Sequence, residues 1–188
     1  MAKGDLFPLL GRLLTYPRPE LSEAARRCGD LLAGEQPEAA QALQSFAACL
    51  DNAPERLEEV YAATFDLNPA CCPYAAYHLF GDGPKRSALM LKLQDAYQER
   101  GFAASRELPG VLLPDNELPD HVALLLAFLP KLEGEAESDL RREVLAPALQ
   151  KIAASLDASN PYSAVIGATL LAVQGEALAY PKGGASGV

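Results

Sequence analysis

Apolar residues recur at intervals of three and four along nearly the whole chain, with no stretch of steady alternation between them. Leu6, Leu9, Leu10, Leu13 and Leu14 make the first stripe, closed by Tyr16-Pro17. Leu21, Ala24, Ala25, Cys28, Leu31 and Leu32 make the second, closed by Gly34. A third runs through Leu43, Phe46, Ala47 and Leu50; Leu57, Val60, Tyr61 and Phe65 follow Pro54. This spacing lines one face of an amphipathic helix. Strand alternation and hairpin turn signals are missing.

The second half continues in the same way. Pro84 opens a helix carrying Leu89, Leu93, Ala96 and Tyr97 and closed by Gly101. Pro119 opens another, apolar nearly all round from Val122 to Leu129 and therefore central. Leu140, Val144, Leu145, Leu149, Ile152 and Leu156 mark a long helix with a kink expected at Pro147. Asn160-Pro161 supplies an N-cap and first turn for a last helix. The fold class is all-α, a single-domain bundle of eight or nine helices over residues 1–180. A tail at 181–188, PKGGASGV, has nothing to bury and is expected to be disordered. The longest irregular connection is 105–116, SRELPGVLLPDN, read as a surface loop.

Charge excludes one function class. A net charge of -9 argues against nucleic-acid binding, which needs a basic face. The acidic surface favours a basic partner or simply solubility. The N-terminal apolar stretch is broken by Pro8 and Arg12, unlike a signal peptide, and no run is long enough to span a bilayer. The chain is expected in the cytoplasm, with Cys28, Cys49, Cys71 and Cys72 reduced.

The residues that invite chemistry lie mainly in ACCPYAAYHLFGD at 70–82 and in ELPDH at 117–121. Structural zinc needs four ligands, usually as spaced pairs; the vicinal Cys71-Cys72 pair lacks that spacing. Cys72 and His78, six apart, would fall on different faces of a helix. There is no GxSxG elbow, CxxC pair or phosphate loop. Tyr74, Tyr77 and His78 share a helix face at i, i+3 and i+4. Glu117, Asp120 and His121 flank Pro119 at a helix start, where carboxylates favour the macrodipole. The plainer reading is an N-cap at Asp120 or Glu117 with His121 packed nearby. Two rivals stay open: a metal- or thiol-redox-sensing protein using Cys71 and Cys72 with a histidine, and a helical enzyme acting near Asp120-His121.

YAATFDL at 61–67, YHLFGDGPKRS at 77–87, LKLQDAYQERGF at 91–102 and ELPDHVALLLAFL at 117–129 occur in that order. Together with GRLLTYP at 11–17 and NPYSAVIGATLLAV at 160–173, this series resembles the NarJ-type chaperones, the delta subunits of respiratory nitrate reductases, within the TorD/DmsD family. ELPDH is its most specific element.

The resemblance implies a TorD-like helical chaperone that is not an enzyme and has no cofactor or metal of its own. Its partner would be the N-terminal segment of a molybdoenzyme catalytic subunit, most simply the nitrate reductase alpha subunit. That client carries molybdopterin guanine dinucleotide and would be held until cofactor insertion, before membrane docking. Carried over by motif, the peptide-binding residues are Asp66, Tyr77, His78, Glu117, Pro119, Asp120 and His121. Asp66 and Asp120 would attract basic client residues, while Tyr61, Phe65, Tyr77 and Leu126 take its apolar face. The expected groove runs between the helix ending near Gly81 and the helix starting at Pro119.

Overall fold

The computed structural model describes residues 6–108, 111, 113 and 116–175, and all regular structure among them is helical. The tail at 181–188 lies outside the described residues, as does part of the 105–116 connection.

Proline punctuates the first half as the sequence suggests. Helices α1 (Leu6–Leu13), α2 (Leu21–Leu32) and α3 (Pro37–Asn52) are followed by α4 (Pro54–Tyr61), and Pro37 and Pro54 sit in first turns where no intrahelical N–H is needed. α4 runs on into a π-helical turn, Ala62–Asp66, closed by the Leu67 N–H on the Ala62 carbonyl at 3.0 Å. A short 3-10 turn (Pro69–Cys71) leads to α5 (Ala75–Phe80). Gly81, at φ 61°, ends α5 with its N–H on the Tyr77 carbonyl, a conformation that suits glycine.

α6 (Pro84–Glu99) and the single turn α7 (Ala104–Glu107) follow. α8 (Val122–Phe128) buries every one of its residues, as the unbroken apolar run requires. It begins three residues later than Pro119, because Asp120 and His121 are committed to pairing with the chain before α5. α9 (Gly134–Asp139), a π segment (Leu140–Leu145) and α10 (Ala146–Ser155) form one continuous rod. The π segment lies just before Pro147, and the Ala146 N–H reaches back to Arg141 rather than Arg142. A wider turn absorbs the ring that would strike an α-helical carbonyl. Asn160 then caps α11 (Tyr162–Gly175) through its Oδ1, which accepts the Tyr162 N–H at 2.9 Å.

One core joins these rods. α1, α2, α3, α8, α10 and α11 contribute Leu10, Ala25, Leu43, Leu125, Leu149 and Val165, each fully buried. Each buried leucine is worth about 2 kcal/mol relative to exposure. α1 lies close against α8 because Gly11 has no side chain: a Cβ there would stand 2.8 Å from the Ala123 carbonyl oxygen. A smaller cluster brings Leu108 onto Ala123, Leu124 and Ala127, with Val111 and Leu113 beside it. The 105–116 connection is therefore partly tied to α8 and not wholly a surface loop.

Candidate functional site

The two motif phrases meet through the backbone. Tyr74 and His121 form an antiparallel bridge, with the Ala75 N–H on the Asp120 carbonyl at 2.9 Å and the Val122 N–H on the Pro73 carbonyl at 2.8 Å. Asp120 adds its side chain: Oδ2 accepts the Ala76 N–H at 3.1 Å, so this carboxylate caps α5 and not α8. The cap on α8 is the imidazole of His121, whose Nδ1 accepts the Ala123 N–H at 3.1 Å. Nδ1 as acceptor leaves the proton on Nε2 in the neutral ring.

Both groups are sealed from water. Asp120 is 0% and His121 2% exposed. Burial pushes the Asp120 carboxyl upward, opposed by Arg86 and by backbone N–H groups. The Arg86 Nε stands 4.0 Å from Oδ2 while its Nη1 holds Asp82 at 2.6 Å. Burial lowers His121 to about 4, so it is neutral at ordinary pH. The Tyr97 hydroxyl completes the clasp by donating to the Pro119 carbonyl at 2.7 Å. The segment before α5 and the start of α8 are thus joined directly.

A second constellation lies beside this clasp. The Tyr16 hydroxyl donates to Glu58 Oε2 at 3.2 Å, and its ring meets Tyr61 edge-on at 5.6 Å. Tyr61 packs on Phe65 and Tyr162 with centroids 5.1 and 5.7 Å away. The Tyr74 hydroxyl donates to Glu117 Oε1 at 3.1 Å, which also accepts the Leu118 N–H at 2.9 Å. Burial raises the Tyr61 phenol, and the negative charges of Asp66 and Glu117 raise it further. Tyr74 is pushed to about 12, by burial first and then by Glu117. Beneath them, the Tyr162 hydroxyl is fully buried with no hydrogen-bond partner among the described residues, and the Tyr61 and Tyr16 phenols both act on it. Phenols and carboxylates therefore converge on one patch made by the end of the first helical arm, α4, its π turn and the ELPDH phrase.

Of the residues chosen from the sequence, Tyr61, Phe65, Asp66 and Glu117 come together in this patch, with Tyr61 and Phe65 buried as its floor. Pro119, Asp120 and His121 are buried in the clasp, and Leu126 lies in the core at 0% exposure. Tyr77 and His78 stay half-buried on α5, ring centroids 5.9 Å apart, with the Arg86 guanidinium 5.6 Å from the Tyr77 centroid. Sequence reasoning missed Glu58, Tyr16 and Tyr74 as parts of the patch. The spacing of Glu58, Tyr61 and Phe65 (i, i+3, i+7) was the available signal.

The cysteines have separate partners. Cys71 is buried, its Sγ donating to the Ser155 carbonyl at 3.6 Å. Cys72 precedes α5 in extended conformation, and this brings its Sγ within 3.8 Å of His78 Nε2, against the expectation from helical spacing. That nitrogen lies 2.7 Å from the Cys72 carbonyl, and burial raises the thiol, so the pair holds a neutral thiol and not an activated thiolate. Among the described residues, no group of three or more His, Cys, Asp or Glu side chains is placed to hold a metal ion, and no helix is long and apolar enough to cross a membrane.

Residues 31–162, more than half of the chain, match the model of the nitrate reductase delta subunit family. The chain belongs to that family. A Bacillus subtilis (strain 168) relative, a "probable nitrate reductase molybdenum cofactor assembly chaperone NarJ", is 28% identical over 170 residues, covering 88% of this chain and 86% of its own length. The crystal structure of a candidate redox enzyme maturation protein from Archaeoglobus fulgidus superposes with a TM-score of 0.58 at 19% identity, covering 93% of this chain and 95% of that one. That likeness shows the TorD-like helical fold of this delta-subunit-family member. The family is one of NarJ-type assembly chaperones and is not catalytic.

Proposed function

We propose that this chain is a cytoplasmic assembly chaperone that binds the N-terminal segment of a molybdoenzyme catalytic subunit, the nitrate reductase alpha subunit. It holds that subunit while molybdopterin guanine dinucleotide is inserted and before membrane docking. The cofactor belongs to the client. Family membership supports the chaperone role, and the acidic, aromatic patch around Tyr16 and Tyr61 carries the peptide-binding part.

The physical case is one of charge and floor. Asp66 is exposed and Glu58 and Glu117 are half-exposed, so their carboxylates can meet a basic side chain without full desolvation. The Tyr16 ring, at 36% exposure, offers a face for a cation or an apolar stem. Tyr61 and Phe65 support it from beneath. Asp120 and His121 act by fixing where Glu117 stands, while Tyr77 and His78 would extend the contact along α5. A basic client segment suits a protein of charge -9.

The test is co-purification and calorimetry with a synthetic peptide of the alpha subunit's N-terminal segment. Saturable binding that weakens with salt supports the proposal. Capture of the alpha subunit that survives deletion of that segment would overturn the peptide-binding part.

A further inference from the structure

Packing alone does not account for the Tyr162 hydroxyl. The side chain is 0% exposed, and its oxygen makes no hydrogen bond among the described residues. Gln36, Arg86 and Asp120 each carry one buried polar atom without a partner as well, but another atom of the same side chain is bonded. A tyrosine has a single polar side-chain atom, so here the whole of its hydrogen-bonding capacity is idle. Buried polar groups are nearly always paired, and an idle one destabilises the fold. Phenylalanine would keep the ring against Phe46, Tyr61 and Phe65, at centroid distances of 5.2, 5.7 and 5.0 Å, without that penalty.

The surroundings of the hydroxyl say which group would suit it. The Tyr61 and Tyr16 phenols act on it directly. The charges acting on those two phenols are negative: Glu58 and Asp66 on Tyr16, Asp66 and Glu117 on Tyr61. An environment of phenol oxygens and carboxylates favours a cationic donor. Tyr16 controls access. Its ring is 36% exposed and stands in the irregular segment between α1 and α2. Its hydrogen bond to Glu58 is itself exposed, so the ring can swing aside without breaking a helical hydrogen bond.

We infer that Tyr162 is a client-contact residue: a cationic side chain of the bound segment passes beneath the Tyr16 ring and donates to the Tyr162 hydroxyl. The inference rests on the proposed client binding. The phenol oxygen accepts an N–H of the ammonium or guanidinium group, and the Tyr16 ring lies against the cation. Glu58 and Asp66, which flank Tyr16, balance its charge. The idle hydroxyl then weakens the free protein and is satisfied in the complex, a pattern found where function overrides packing.

Tyr162→Phe removes the hydroxyl alone and separates these roles. In calorimetry with the alpha-subunit N-terminal peptide, its Kd should be about tenfold higher than that of the wild type, while the urea midpoint stays level or rises. Replacing the peptide's basic residues by glutamine, one at a time, should find one position at which the two proteins bind alike. Wild-type affinity in Tyr162→Phe overturns the contact and leaves the acidic patch standing. So does a difference that persists at every peptide position. A lowered urea midpoint would show the hydroxyl bonded within the free protein, and it too overturns the contact. If the wild-type chain fails to bind the peptide at all, the proposed client binding falls and the Tyr162 contact with it.

Discussion

Asp120 accepts a hydrogen bond from the backbone N–H of Ala76, 44 residues earlier, and so caps a helix to which it does not belong. The most recognisable motif of the chain thus acts between segments, fixing the start of α5 against the start of α8.

Removing that cap should be felt in stability before it is felt in binding. Asp120→Ala leaves the Ala76 N–H without its partner and removes the buried carboxylate 4.0 Å from the Arg86 Nε. A loss of about 1–3 kcal/mol is expected, read as a lower urea midpoint. Asp120→Asn keeps an oxygen on Ala76 and should lose less.

Acid should open the clasp through His121. Its folded value, about 4, lies below the ordinary 6.5, so the unfolded chain binds the proton first. Its contribution is fully present above the unfolded value and is lost as pH falls from about 6.5 through 4, on the order of 3 kcal/mol. Asp120, whose carboxyl is raised, works in the opposite sense, but only near and above the ordinary carboxylate range. His121→Asn can still cap Ala123 and should flatten the slope of stability between pH 6.5 and 4. A slope equal to the wild type's would assign the acid sensitivity elsewhere.

Neutralising the patch should separate binding from folding. Glu58→Gln with Asp66→Asn changes two carboxylates for which no ion pair is recorded among the described residues, so stability should move by no more than about 0.5 kcal/mol. Peptide Kd should rise about tenfold and lose much of its salt dependence. Calorimetry at two salt concentrations measures both.

Leu126, which the motif resemblance implies as a client contact, has its side chain wholly enclosed in the core. Leu126→Ala should cost about 2–5 kcal/mol in chemical denaturation. Peptide affinity should hold wherever the protein remains folded.

Helical periodicity made the fold legible, because a stripe such as Leu21, Ala24, Ala25 and Cys28 states both the element and its buried face. The site was legible only as residues held in common. Asp66 and Glu117 were found by motif, but their convergence on Tyr61 depends on a π turn and a long-range bridge, neither of which has a local sequence period. Glu58 looked like any exposed helix carboxylate until Tyr16 was placed against it. Helical spacing misled at Cys72, because the residue before a helix does not follow the period of the helix.

The Tyr74–His121 bridge also sets which part of the chain is free to change length. The ends of the intervening stretch are pinned by backbone hydrogen bonds. Extra residues between them add only a logarithmic closure entropy, roughly 0.6 kcal/mol per doubling. A change of length between these two anchors is therefore cheap and leaves α5 and α8 in the same relation, while a change inside the bridge itself would break it.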